Sequence, residues 1–517
     1  MRYRGGALIV ACWLSAITMS GIALAVAPPA SAAPDSTSGQ SDSATESRRD
    51  AEPGAGASTS EAAEKAPSSP RAGKREQRVA PAAAVMPRKK PRSATAPDRR
   101  TEPQRQRATA TIAPAEIDTP KNTLDTPEVA AAPTAVSTTA IDSQAAITPK
   151  AVVPPPPRRP SLVDLIGSVV LNVVVGAIQL ADGPPVLPPG STVTVGTSRL
   201  KVPVGDGRTV QADWYFPKDA DESTRLVYLQ HGFLASGPMY SYTAARLAER
   251  TNSIVVAPSL SSNFLDPRAA WVGGAPMQRA VAELFTGDRE ALVLSASAAA
   301  GTSVTLPQKF VLVGHSAGGT LVTSAAGHLA DNGGIADLVG VVMLDGVEPS
   351  GSRAVETALA KLTGVNDRPV YLISSQRYFW SRGGDMADKL GAARPDRFNG
   401  VSLEGGWHSD YLYGGNPLIQ RAQYLITGVS AKRNVAAAEE ISADWINDLF
   451  AGSRSEGIYG AAGQSFSIAT PDGTATAVVL PLGPAHRTPL QRLVDGFFTV
   501  IFDWAGRNVF VYEPLEV

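Results

Sequence analysis

An apolar run, a serine flanked by glycines and a second apolar run follow one another in this 517-residue chain. In residues 309–313, Lys309 leads into a continuous apolar run rich in valine, which is typical of a short buried strand. Ser316 then stands at the centre of Gly-His-Ser-Ala-Gly, and residues 319–329 are small and apolar, as in a buried helix. A strand that turns into a helix across G-x-S-x-G predicts a sharp turn that holds the serine hydroxyl above a parallel sheet.

The pentapeptide alone is a weak signal. In a chain with 47 glycines it would arise by chance roughly a third of the time. The prediction therefore depends on the strand and the helix that surround it. In a turn of this kind the backbone amide of Ala317 points at the oxygen of a carbonyl group under attack, so Ala317 is a candidate oxyanion donor.

A second oxyanion donor is predicted upstream. Residues 225–230 form another apolar run, and the segment 231–233 (His-Gly-Phe) follows directly. A glycine at the end of a strand lets the backbone turn, so that the next amide, that of Phe233, faces the same centre.

A histidine stands where a general base is needed. Residues 398–403 are typical of a last strand, and Glu-Gly-Gly-Trp leads from them to His408. A loop rich in glycine can bring the imidazole onto Ser316. Of the five histidines, His408 is the one in that position, and we predict that it is the base.

The sequence offers more than one candidate for the acid that would orient His408. Asp345 ends the apolar run 338–344, and because strand interiors deplete aspartate, it fits an orienting carboxylate better than a packing residue. Asp385 comes after a loop that could return it to the site, and Glu348 lies just past Asp345. We expect Asp345 to be the acid, with Asp385 as the main alternative.

Residues 231–233, 314–319 and 405–408 resemble the corresponding segments of the α/β-hydrolase superfamily, and in particular of secreted actinobacterial serine esterases and lipases. The resemblance covers residues 192–429. It implies a mostly parallel central sheet with helices on both faces, and hydrolysis of carboxylic esters through an acyl-enzyme. Ser316, His408 and Asp345 match the triad positions, and the resemblance implies no cofactor and no metal.

In one respect the chain departs from this pattern. Many bacterial esterases of this fold carry the acid just after the penultimate strand, where this chain has Ser375 and Gln376. The subfamily and the substrate, a small acyl ester or a lipid, therefore stay open. Two alternatives remain: an acyltransferase of the cell envelope, or a catalytically silent envelope-binding protein with the same fold.

The N-terminus predicts export. A basic start, an apolar run and an Ala-x-Ala site ending at Ala32 make residues 1–32 a secretory signal peptide. An uncleaved anchor is the alternative, because the apolar run is long enough to span a bilayer. We expect a secreted or envelope-associated protein. The only cysteine, Cys12, lies in this segment, which excludes cysteine-based catalysis in the mature chain.

Residues 33–160 are rich in alanine, proline, serine and threonine, a composition that predicts disorder. A basic stretch at residues 74–107 could contact an anionic envelope polymer or membrane surface, and a spacer without a partner is the alternative. The formal net charge of −1 argues against a nucleic-acid partner.

Residues 161–430 are the predicted α/β-hydrolase domain. Its leading apolar segment, residues 162–180, predicts a helix packed on the domain, with a membrane-seeking segment as the alternative. Residues 192–216 predict an antiparallel hairpin, residues 277–300 one helix, and residues 354–362 a helix too short to form a large cap. Five aromatic residues are candidates for lining the substrate site, with ordinary packing as the alternative: Phe264, Trp271, Tyr378, Phe379 and Trp380.

Residues 431–517 extend past a minimal hydrolase domain. They predict two helices with a hairpin between them. About 85 residues rarely stand alone, so we expect a small α+β appendage packed on the core.

Overall fold

The computed structural model describes residues 159–485 and 487–516. The predicted signal peptide (1–32), its anchor alternative and the basic stretch lie outside the described residues, as does nearly all of the predicted linker (33–160).

One ten-stranded sheet organises the described chain, in the order β1-β2-β4-β3-β5-β6-β7-β8-β10-β9. The six strands from β4 to β8 in that order are parallel. The remaining strands pair antiparallel at the two edges. A parallel sheet that begins with an antiparallel hairpin in this order is the α/β-hydrolase fold, so the predicted fold class is confirmed. The strands are β1 Thr194–Val202, β2 Arg208–Phe216, β3 Arg225–Gln230, β4 Ser253–Pro258, β5 Phe310–His315, β6 Leu338–Leu344, β7 Val370–Ser374, β8 Gly400–Leu403, β9 Ser465–Thr470 and β10 Gly473–Val479.

Helices cover both faces of the sheet. Every residue of β5 is buried, as expected for a parallel strand with both faces covered. Successive side chains of β5 point to opposite faces: Leu312 belongs to one core cluster and Val313 to the other. The helices are α1 Leu162–Asp182, α2 Ser241–Thr251, α3 Ala275–Glu283, α4 Glu290–Ala300, α5 Ala317–Asn332, α6 Ala354–Lys361, α7 Asp385–Ala393, α8 Pro417–Thr427, α9 Lys432–Ala451 and α10 Pro489–Asn508.

The single helix predicted over residues 277–300 is wrong, because two helices, α3 and α4, occupy that range. Gly287 has a φ of 59° and Arg289 a φ of 56°, and a right-handed helix cannot continue through residues in that region. Arg289 is held there by Asp337, with an Nη2–Oδ2 distance of 2.8 Å. The break depends on this tertiary contact, which local composition does not reveal.

Helix α1 packs on the domain as predicted, but only a narrow side of it is buried. Its buried residues are Asp164, Leu171, Val175 and Asp182, and most of its apolar side chains face outwards. Among the described helices, α1 is the one long and apolar enough to cross a membrane by length and composition, and 22% of that window is buried.

The C-terminal residues continue the α/β-hydrolase fold. Helix α9 buries Trp445 and Ile446 completely in the core. The hairpin β9–β10 extends the sheet, since Ala477 pairs with Leu403 of β8. Helix α10 then returns along the site. The predicted appendage is thus joined to the same sheet, and its role beside the site was not predicted from the sequence.

Candidate active site

The serine lies on a strained turn between β5 and α5. Ser316 has a φ of 55° and a ψ of −124°, a conformation that costs a non-glycine residue free energy. The glycines on each side permit it. A Cβ on Gly314 would overlap the carbonyl group of Gly318, and a Cβ on Gly318 would come within 2.5 Å of the carbonyl oxygen of Gln230. The motif therefore forms the sharp turn that its sequence predicts.

The two predicted oxyanion donors flank this serine. Ala317 is the first residue of α5, where backbone amides have no acceptor within the helix. On the other side, a Cβ on Gly232 would lie 2.8 Å from the Cβ of Ser316, so the segment that carries Phe233 passes directly beside the serine. The amide of Gly232 donates to Tyr240 Oη at 3.0 Å, and that of Leu234 to Ser262 Oγ at 2.8 Å. These bonds fix the backbone around the Phe233 amide.

The structure brings Asp345 and His408 together. Asp345 Oδ2 lies 2.5 Å from His408 Nδ1, and both side chains are buried. The amide of Ser375 donates to Asp345 Oδ1 at 2.8 Å, and its hydroxyl to Oδ2 at 2.7 Å. Bonds to a charged acceptor are the stronger kind, so three donors hold this carboxylate in one orientation. Ser375 stands at the end of β7, where the sequence offers no acid, and its role was not predicted.

The alternative acids lie elsewhere. Lys389 Nζ pairs with Glu348 at 2.5 Å and with Asp385 at 3.2 Å, and Arg382 Nε lies 3.5 Å from Asp385. Desolvation raises the pKa of Asp385 to about 6, and the two cations oppose that rise. Asp385 and Glu348 thus belong to an ion-pair cluster at α7, and the structure does not bring either to His408.

His315 connects the segment that carries Phe233 to His408. Its Nε2 donates to the carbonyl oxygen of His408 at 2.9 Å, which leaves Nδ1 to accept from Tyr240 Oη at 2.7 Å. Tyr240 Oη in turn accepts the Gly232 amide. Burial holds the pKa of His315 well below its usual value, so the ring stays neutral and can serve both bonds. Neither His315 nor Tyr240 was predicted as part of the site, since their bonds join distant segments.

We expect Tyr240→Phe to lower kcat on a soluble ester by about tenfold, which corresponds to about 1.4 kcal/mol. The substitution leaves the Gly232 amide and His315 Nδ1 without their shared hydroxyl, and both groups are buried. The effect should fall on kcat more than on KM, because Tyr240 acts by positioning. Tyr215→Phe is the matched control, since the buried Tyr215 hydroxyl has no hydrogen-bond partner among the described residues. Equal kcat values for both variants would contradict this role.

A cavity of about 220 Å³ opens beside Ser316. Four of the five predicted aromatic residues line it: Trp271, Tyr378, Phe379 and Trp380. Phe264 does not line it. Its ring packs behind the wall, 5.8 Å from the ring of Phe233 and 4.5 Å from that of Phe510. The other lining residues are Phe233, Ala317, Val347, Pro349, Ser350, Arg382, Gly383, Arg487, Thr499, Phe502 and Phe510.

Two aromatic residues of this wall also contact His408. The ring of Trp380 stacks on the imidazole of His408 at 6.3 Å, with 23° between the ring planes. The hydroxyl of Tyr378 accepts the backbone amide of His408. The imidazole is therefore enclosed between Asp345 and the cavity wall. Within the described ranges, no group of three His, Cys, Asp or Glu residues is arranged to hold a metal ion.

A buried carboxyl pair lies under the loop that follows Phe233. Asp182 Oδ2 accepts from Ser236 Oγ at 2.5 Å. Desolvation, together with a smaller contribution from repulsion by Asp213, raises the pKa of Asp182 to about 6. Desolvation likewise raises the pKa of Asp213 to about 6. The folded state then binds more protons than the unfolded state between about pH 4 and pH 6, so ionisation of this pair lowers stability above that window.

We therefore expect Asp182→Asn to raise the free energy of unfolding at pH 8 by about 1 to 3 kcal/mol. The gain should shrink towards pH 4.5, where the native carboxyl is already protonated. Urea unfolding of both proteins at the two pH values measures this difference. A variant that is less stable than the wild type at pH 8, or a gain independent of pH, would contradict the interpretation.

No protein-family model and no curated protein sequence matches the chain. Solved structures do resemble it. A thermostable esterase from Pseudomonas putida is 11% identical, with 54% of this chain and 89% of that chain covered and a TM-score of 0.37. Brefeldin A esterase, a bacterial homologue of human hormone-sensitive lipase, is 15% identical over 57% and 88%, with a TM-score of 0.37. A fungal esterase from Rhizomucor miehei is 15% identical over 58% and 99%, with a TM-score of 0.36. At these identities and TM-scores, a functional assignment rests on the residues of the site alone.

Proposed function

We propose that the chain is a serine hydrolase that cleaves carboxylic esters through an acyl-enzyme. The observation that carries this proposal is the 2.5 Å contact between Asp345 and His408 beside a serine held on a strained, glycine-flanked turn. Asp345 would fix the His408 tautomer that carries its proton on Nδ1, and this leaves Nε2 free to take a proton from the serine.

In the proposed reaction, Ser316 Oγ attacks the ester carbonyl carbon while its proton passes to His408 Nε2. The amides of Phe233 and Ala317 would stabilise the negative charge on the carbonyl oxygen. The bond to the alcohol then breaks, and His408 returns the proton to the departing alkoxide. A water molecule attacks the acyl-enzyme in the same way, which releases the carboxylic acid and restores Ser316.

The cavity supports an ester with an apolar acyl or alcohol group. Its wall is mainly apolar, with Phe233, Trp271 and Phe502 among its aromatic members. Charged groups are few and stand at Arg382 and Arg487. An apolar cavity with a few polar groups is the usual environment of a bound small molecule.

A fluorophosphonate probe combined with p-nitrophenyl butyrate tests the proposal. The probe should form one covalent adduct at Ser316, found by mass spectrometry of the labelled peptide, and labelling should abolish ester cleavage. A chain that is neither labelled nor active would instead be a silent binding protein. Export through residues 1–32 is proposed on the sequence alone, and N-terminal sequencing of protein from culture medium tests it.

A further inference from the structure

Large apolar side chains are exposed mainly on three helices: α1, α8 and α10. Val173 is 68% exposed, Leu425 73% and Leu493 72%. Monomeric soluble proteins rarely leave large contiguous apolar patches uncovered. The exposed set on the three helices is Leu162, Val163, Leu165, Ile166, Val169, Val170, Val173, Leu180, Leu418, Leu425, Ile426, Leu490, Leu493, Val494, Phe497 and Val500.

Helices α10 and α8 both contact the Phe379–Trp380 segment of the cavity wall. The ring of Phe379 lies 5.2 Å from that of Phe502 on α10 and 5.0 Å from that of Trp380. Trp380 Nε1 donates to the carbonyl oxygen of Ile426 on α8 at 2.9 Å. Phe379, Trp380 and Phe502 all line the cavity, so the two helices border its opening.

Helix α1 is linked to the other two helices at both ends. At its end, Asn416, the residue that caps α8, donates to the carbonyl oxygen of Asp182 at 3.0 Å. Near its start, Asn263 Nδ2 donates to Ser168 Oγ at 2.7 Å. The neighbouring Phe264 packs against Phe510, a lining residue just after α10. The three helices are thus linked to one another through residues 263–264 and 379–380 and Asn416, next to the cavity.

Helix α1 lies along the domain. Gly167 is pressed against Leu265, Leu171 and Val175 are buried further on, and Asp182 is anchored at the end. Contacts spread over its whole length hold its axis on the protein surface. Its outer side is therefore placed to lie in the plane of an interface rather than to cross a bilayer.

The charged side chains that these helices expose are all positive, because their aspartates are buried or paired. Asp182 is bonded to Ser236, Asp495 pairs with Arg487 at 2.5 Å, and Asp503 pairs with Arg382 at 3.1 Å. Asp164, the remaining acid on the three helices, is buried in the capping box of α1. The exposed charged side chains on the three helices are Arg421, Arg492 and Arg507. The outer surface is therefore apolar and cationic.

We propose that this face, formed by the outer sides of α1, α8 and α10, docks on an anionic lipid surface and places the cavity opening against it. Apolar side chains enter the boundary between headgroups and acyl chains, and each arginine near an anionic surface adds to the attraction. An ester held in that surface could then enter the cavity without passing through water. This last step rests on the proposed hydrolysis, whereas the docking itself does not.

Vesicle co-sedimentation of the full chain carrying Ser316→Ala tests docking independently of catalysis. We expect binding to vesicles of phosphatidylglycerol and phosphatidylcholine, weaker binding to phosphatidylcholine alone, and a decrease at high salt. The double variants Leu490→Ser/Leu493→Ser and Val169→Ser/Val173→Ser should each reduce the bound fraction at least about tenfold. Arg492→Glu/Arg507→Glu should remove much of the dependence on anionic lipid.

Leu294→Ser/Val365→Ser is the matched control, because both residues are exposed and lie outside the three helices. It should bind vesicles within about twofold of the unsubstituted chain. With Ser316 present, the α1 and α10 double variants should keep their activity on a soluble ester, since none of the four residues lines the cavity.

The outcomes separate the two proposals. Vesicle binding that the α1 and α10 double variants lose, in a chain that cleaves no ester, would leave docking intact and overturn the hydrolase. Ester cleavage without vesicle binding would overturn docking alone. Docking is also wrong if the control loses binding as strongly as the other variants. A dimer that the same substitutions convert to a monomer, without vesicle binding, would assign the face to a second copy of the chain.

Discussion

Replacing Ser316 with alanine should abolish ester hydrolysis, with kcat falling by roughly 10⁶. The hydroxyl is the proposed nucleophile, and the strained turn that holds it lets only a small side chain keep the same geometry. Alanine removes the oxygen and leaves the fold unchanged. Steady-state kinetics with p-nitrophenyl butyrate and a thermal unfolding curve measure both effects.

Ser324→Ala is the matched control for this experiment. Ser324 lies on the same helix, α5, and its hydroxyl bonds to Gln278 at 2.8 Å, away from the cavity. That variant should keep its turnover and lose about 1 kcal/mol of stability. Turnover retained by Ser316→Ala would end the assignment of the nucleophile.

Asp345→Asn should give the second largest loss, up to about 10⁴ in kcat. The carboxylate accepts from His408 Nδ1 and twice from Ser375, and an amide of the same shape offers one acceptor oxygen in place of two. The imidazole would then lose both its orientation and the charge that stabilises its protonated form.

Asp385→Asn is the control, because Asp385 bonds to Lys389 and lies in a separate ion-pair cluster. We expect kcat near the wild-type value for that variant. Circular dichroism should show that both proteins are folded. The reverse pattern, a slow Asp385→Asn and a normal Asp345→Asn, would move the acid to the later loop.

Local sequence patterns were enough to predict the fold class. Continuous valine-rich runs mark the parallel strands, and glycines mark the turn that carries Ser316, since both depend on residues close in the chain. The position of Asp345 at the end of a strand parallel to β5 also indicated why it could reach His408. The competing Asp385 was left open, because its pairing with Lys389 and Arg382 depends on where α7 packs.

Contacts between distant segments account for what the sequence did not indicate. Ser375 was noted only because it is not an acid, whereas in the structure it donates two hydrogen bonds to Asp345. Phe502 and Phe510 come from a part of the chain with no functional assignment, and they line the cavity. The composition of α1 predicted an apolar helix. Which of its side chains are exposed depends on the neighbouring segments that cover it, and these come from distant parts of the chain.

Because Phe502 and Phe510 form part of the cavity wall, the order of synthesis decides when that wall is complete. Synthesis proceeds from the N-terminus, and domains generally fold as units while the chain emerges. Ser316, Asp345 and His408 leave the ribosome well before this last stretch of chain. The pocket therefore stays unfinished until this last stretch has joined the fold, and selection of a substrate by its wall begins only then. A truncation just before Pro489 would produce that immature state permanently.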